Sequence, residues 1–239
     1  SSPNMDFKDY TYEEARNLDK EALMKKFGLP VSNPKMSVLN AAFSDPGLIP
    51  SLRIRGNIDL IEYLGKWSNA YDKGFNSRPS KRIAEMSKTI PDAVVRFILA
   101  EFFSLKDDKA AEIESGHSAM MSIENMTGDL LEEYLSTQIG TLGWYCAWGA
   151  TITAVDFCND KGELLQVKNS DNSENSSSSK IRKGTQIDKW FRRFSTKQDI
   201  YNWAEIQRIT GCKSLNEASF RKFILEVIKD NKNLLSGTL

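Results

Sequence analysis

Three side chains in the C-terminal half carry groups that together could cleave a phosphate ester: the carboxylate of Asp156, the amide of Gln166 and the amine of Lys168. The stretch between Phe157 and Leu164 reads CNDKGE, and Asp160, Lys161 and Gly162 suit a three-residue hairpin loop with glycine in the left-handed position. Such a loop opposes Asn159 to Glu163, Asp156 to Gln166 and Ala154 to Lys168. Because side chains alternate along a strand, Asp156, Gln166 and Lys168 are expected on one face, with Lys168 diagonal to Asp156 at about 7–8 Å or less. A hard divalent cation such as magnesium takes oxygen ligands, which Asp156, the Gln166 amide oxygen and a carbonyl such as that of Val167 would supply. The ion would polarise a scissile phosphate and lower the pKa of a bound water, while Lys168 would orient that water and offset developing negative charge. The same string also fits an ordinary hairpin with polar residues on its wet face, and the spacing of the three residues alone does not choose between the two.

The elements that must position these residues change character along the chain. Thr11 and Glu14 make a capping box, Leu18, Leu23, Met24 and Phe27 an apolar stripe, and Gly28 and Pro30 a stop, which predicts one helix. Residues 31–56 hold Asn-Pro, Asp-Pro and Ile-Pro steps and read as irregular connection. Helices are expected at about 57–67, 80–88 and 91–104, the last dense with Val94, Val95, Phe97, Ile98, Phe102 and Phe103 and therefore a packing helix. Residues 118–138 form a further helix whose Ile123, Met126, Leu130, Leu131 and Tyr134 face a core. On that helix Glu124, Gly128 and Glu132 share one side, and Gly128 would allow close approach of another backbone. After Gly140 the pattern turns extended, with strands expected at 143–148, 150–158 and 163–169. A helix at 185–195, a possible strand at 200–210 and a C-terminal helix opened by Ser214 and Glu217 complete the reading. The fold class is α/β: a central mixed sheet flanked by helices, with a helical region over 1–115 and a catalytic core over 116–239.

Bulk properties exclude several functions. The 239 residues carry equal numbers of acidic and basic side chains, so no bulk attraction for nucleic acid is built in, but Lys180, Arg182, Lys183, Lys189, Arg192, Arg193 and Lys197 cluster against Asp188 alone. Cys146, Cys158 and Cys212 are odd in number and lie in no metal-binding spacing, so they are expected as buried thiols. His117 is the sole histidine, which excludes a histidine-rich metal site, and no phosphate-binding glycine motif is present. Trp144, Trp148, Trp190 and Trp203 read as core or sheet cover. No apolar run is long enough to span a bilayer, and a cytoplasmic protein is expected.

Asp156, nine residues, then Gln166, Val167 and Lys168 resembles the motif of the PD-(D/E)XK nucleases, with glutamine for the second acid and Val155 where proline is usual. The literal Pro91-Asp92 pair opens an apolar helix and has no partner lysine at strand spacing. The segment Gln166 to Arg193 and the upstream Ile123 to Leu135 look like the type II restriction endonucleases of the SinI and AvaII kind, which recognise GG(A/T)CC. That resemblance implies magnesium-dependent hydrolysis of double-stranded DNA at a short palindrome, a homodimer and a companion DNA methyltransferase. It also implies that a glutamate of the 118–138 helix completes the metal site, Glu132 being preferred and Glu124 the alternative. Asn172, Ser173, Asn175, Ser176, Lys180 and Arg182 begin just past Lys168 and offer short donors and acceptors suited to base edges and phosphates. A DNA-binding protein with a degenerate site remains the rival reading, because glutamine removes one negative charge.

Overall fold

A computed structural model describes residues 6–81, 126–171 and 186–230. The Thr11–Glu14 capping box is present, but the expected single helix is two: α1 (Tyr12–Asn17) and α2 (Lys20–Lys26). Asp19 accounts for the break, because its side chain accepts the Ala22 N–H and starts a new helix. The stretch expected to be irregular contains α3 (Asn33–Ala42), capped by Ser32. Its proline is a start signal here, since a missing N–H costs nothing in a first turn. Next comes α4 (Leu60–Asn76), longer than expected. The helix expected from 80 is described only at its first turn, that at 91–104 lies outside the described residues, and α5 (126–139) is the described part of the 118–138 helix.

The sheet contains β1 (Trp144–Cys146), β2 (Phe157–Asn159), β3 (Leu164–Ser170) and β4 (Ile187–Arg193), in that spatial order. The first three are antiparallel and β4 runs parallel to β3, giving the mixed sheet expected. Several expectations are corrected. Residues 150–156 are a loop, with Ala150 and Ala154 at φ 54° and 62°, a backbone that no sequence signal betrays in an alanine. Residues 187–193 are a strand: Ile187, Trp190, Phe191 and Phe194 have helical spacing, but a strand buried on both faces need not alternate, and pairing with β3 satisfies its backbone. The possible strand at 200–210 is α6 (Trp203–Thr210), apart from one bridge between Arg193 and Tyr201. The last helix, α7 (Glu217–Asp230), is capped by Asn216, whose side chain accepts the Ser219 N–H at 2.8 Å, rather than by Ser214.

The chain forms two compact units, one of residues 1–76 and 136–213 and one of 77–135 and 214–239. In the first, Met24, Leu39, Phe43, Leu60, Tyr63 and Trp67 share a buried core with Ile152, Val155, Cys158, Leu164 and Ile187. The N-terminal helices therefore cover the sheet that carries the hairpin. In the second, Tyr134 packs against Phe220 and Phe223, with ring centroids 5.4 and 5.8 Å apart. All three cysteines are buried, as expected. Trp144, Trp190 and Trp203 are buried too, and Trp148 meets Phe75 edge to face.

Candidate active site

The hairpin between β2 and β3 has the register expected. Phe157 opposes Leu165 and Cys158 opposes Leu164, the Asn159 N–H donates to the Glu163 carbonyl at 3.2 Å, and Gly162 takes φ 81°. Asn159 fastens the turn with its side chain, accepting the N–H groups of Lys161 and Glu163. Ordered pairing stops at Phe157 and Leu165, short of the expected Asp156–Gln166 and Ala154–Lys168 pairs. The Asp156 N–H donates to the Leu165 carbonyl at 2.9 Å, so Asp156 and Phe157 both face Leu165, the two-against-one count of a β-bulge. Asp156 consequently does not sit squarely opposite Gln166, nor Ala154 opposite Lys168.

The bulge turns the Asp156 carboxylate onto the next free backbone position of β3, where its Oδ2 accepts the Val167 N–H at 2.7 Å. A residue's N–H and C=O address the same neighbour in an antiparallel ladder. The Val167 carbonyl therefore points toward the Asp156 side, away from β4. Burial pushes the Asp156 pKa up, while the Val167 N–H and the charge of Lys168 pull in the opposite direction. Gln166 is 2% exposed and Lys168 half-buried, and their spacing places both on one face of β3. The Asp156 carboxylate, the Gln166 amide oxygen and the Val167 carbonyl are all oxygen donors, a set that fits a hard cation rather than zinc. Among the described residues no three His, Cys, Asp or Glu side chains cluster as a metal group.

Lys189 escapes a reading that makes 185–195 helical. In the parallel ladder it pairs with Gln166, so its side chain leaves the sheet on the Gln166 and Lys168 face. The two aromatics of residues 187–193 suit a strand as well as a helix, and only the pairing with β3 places Lys189 beside Gln166. Arg192, from the same basic cluster, is instead absorbed into structure. It donates to Asn169 Oδ1 at 2.6 Å and lies over the Tyr201 ring.

Glu132 is half-buried on α5, in the second compact unit, and Glu124 lies outside the described residues. A methyl at Gly128 would meet no described atom within 4 Å, so the close backbone approach expected there is not seen. Asn172, Ser173, Asn175, Ser176, Lys180 and Arg182 also lie outside the described residues, as does His117. Asp171, just before that stretch, accepts the Ser195 N–H at 2.9 Å.

Residues 60–230 match a family model described as SinI restriction endonuclease. The type II restriction enzyme SinI of Salmonella infantis is 40% identical over 182 residues, covering 74% of this chain and 76% of the relative. The type II restriction enzyme Eco47I of Escherichia coli is 39% identical over 174 residues, covering 71% and 72%.

Proposed function

The chain belongs to the SinI restriction endonuclease family and is a type II restriction endonuclease, and from that footing we propose that Asp156, Gln166, Val167 and Lys168 form its catalytic centre. Enzymes of this class need a divalent metal, and magnesium is the ion proposed here, held by Asp156, the Gln166 amide oxygen and the Val167 carbonyl. When bound, the metal supplies Lewis-acid activation of the scissile phosphate and of a water. The residues do the rest. Asp156, fixed by the Val167 N–H, presents its other carboxylate oxygen in one direction. Lys168 holds the attacking water and offsets the charge that builds on the phosphate oxygens, and the 3′ oxygen leaves to give a 5′-phosphate.

The observation that carries this reading is the hairpin register together with the Asp156–Val167 hydrogen bond, which puts a half-buried carboxylate within the field of Lys168. The substrate proposed is double-stranded DNA at a short palindrome, GG(A/T)CC or a related sequence. Asn172, Ser173, Asn175, Ser176, Lys180 and Arg182 are the proposed DNA contacts. A palindrome is most simply read by a two-fold dimer, so a homodimer is proposed, with a cognate methyltransferase to protect host DNA and a cytoplasmic location. Among the described residues no helix is long and apolar enough to cross a membrane. The catalytic chemistry is assigned to residues 116–239. Purified protein with magnesium should cut plasmid DNA into discrete fragments whose sequenced ends share one motif, and EDTA should stop the cutting. Smeared products or none would sink the proposal.

A further inference from the structure

Two consecutive residues other than glycine adopt left-handed backbone, Leu52 at φ 52° and Arg53 at φ 57°. Such conformations are unfavourable and persist where the surroundings enforce them. Here Leu52 and Ile54 pack on the core of the first unit. The Ile54 N–H donates to the Ser51 carbonyl at 3.1 Å, and the Tyr63 hydroxyl to the Pro50 carbonyl at 2.8 Å. With Leu52 and Ile54 held inward, Arg53 and Arg55 project outward and are exposed. Among the described residues neither arginine has a hydrogen-bond or ion-pair partner. The backbone of the turn is already ordered, so meeting an anion orders only the two exposed side chains, whose planar guanidinium forks lose less freedom per hydrogen bond than a flexible amine.

The turn also has a defined place. The Thr153 N–H donates to the Leu48 carbonyl at 2.9 Å, tying the segment before the turn to the loop that runs into Asp156. From Thr153 to Asp156 and from Leu48 to Arg53 the chain reaches at most about 11 and 18 Å. Arg53 and the Asp156 carboxylate therefore fall within about one helical turn of duplex, roughly 34 Å. The family model matches from residue 60 onward, so the turn precedes the matched region.

We propose that Arg53 and Arg55 form a second DNA contact that grips backbone phosphates of the same duplex cut at Asp156 and Lys168. The inference rests on the DNA-cleaving function proposed above and gives a stretch N-terminal to the matched family region a role in it. Guanidinium forks match phosphate oxygens, and a contact of this kind raises affinity without reading sequence.

The test compares the wild type with R53A/R55A and R53K/R55K. Binding is measured to a short synthetic duplex carrying the mapped cut site and to an unrelated duplex, in EDTA, across a range of salt. The alanine variant should bind both duplexes more weakly by the same factor. Its dependence of log affinity on log salt should flatten by about 0.9 per lost contact. The lysine variant should recover most of that slope, and the cleavage rate of fully bound DNA should stay at the wild-type value. Unchanged affinity and slope in the alanine variant would overturn the inference, as would a loss confined to the cut-site duplex. A wild type that neither binds duplex nor cuts plasmid would defeat the proposed function itself. A wild type that cuts, beside an alanine variant with unaltered binding, defeats this inference alone.

Discussion

Lys168 is the residue whose removal separates chemistry from binding most cleanly. Its amine acts on the Asp156 carboxylate and, on the reading above, on the attacking water. Lys168→Ala should lower the single-turnover cleavage rate by roughly 10²–10³-fold, the usual loss for one electrostatic stabiliser, and leave duplex affinity in EDTA within a few-fold of wild type. Equal cutting by that variant would remove the mechanism. Asp156 gives a second test, through stability. Burial raises its pKa in the folded protein, so between the ordinary aspartate value near 3.9 and the raised value the folded state binds more protons than the unfolded. Stability accordingly falls as pH rises through that window, and above it the penalty of charging a half-buried carboxylate persists. Asp156→Asn keeps an oxygen for the Val167 N–H and removes the charge. In EDTA at neutral pH its melting temperature should exceed that of wild type, by about 2–4 °C for each kcal/mol relieved, while cleavage is abolished. A lower melting temperature would mean that the carboxylate stabilises the metal-free fold.

The loop of residues 147–156 aims Asp156, and helix α4 holds that loop. Gly149 and Gly74 face each other so closely that a methyl at Gly74 would lie 2.2 Å from the Gly149 nitrogen, and one at Gly149 would lie 2.0 Å from the Ala70 carbonyl oxygen. The Trp67 indole N–H adds a 3.0 Å hydrogen bond to the Thr151 carbonyl. Gly74→Ala should therefore cost about 1–3 kcal/mol and reduce cleavage beyond what lost stability explains. On the same helix Gly65→Ala, whose methyl would come no nearer than 4.0 Å to Leu29, should be neutral or stabilising by about 0.5–1 kcal/mol. Thermal melts and cleavage rates of the pair check this. The contrast also shows what was legible at this scale. The turn of Asp160, Lys161 and Gly162 fixes its own register through local chemistry, so the hairpin could be read from residue types alone. The bulge at Asp156, the left-handed alanines and the strand nature of 187–193 depend on partners distant in sequence, and Ile187, Trp190 and Phe191 alone favour a helix as much as a strand. The place of Lys189 beside Gln166 is hidden until the parallel pairing is known.

Over the whole molecule, helices from the first 76 residues and the sheet from 136–213 bury one another's apolar surfaces. A fragment starting at residue 116 would expose Cys158, Leu164 and Ile187 where those helices now pack. It should show no cooperative thermal transition by circular dichroism, and a sharp transition would mean that the sheet is stable without them. Interleaving of this kind leaves no trace in composition or periodicity, because it arises from contacts between residues distant in sequence, as between Trp67 and Thr151. One further consequence concerns the thiols. Cys146, Cys158 and Cys212 are at most 6% exposed, and burial, helped by Asp160, pushes the Cys158 thiol up to about 12. At neutral pH a thiol of that kind holds almost no thiolate, the form that reacts. The native surface is in effect blank to maleimides, so a cysteine placed at the exposed hairpin tip, as in Lys161→Cys, would take a fluorophore at a single position and report on DNA arrival without removal of any native sulfur.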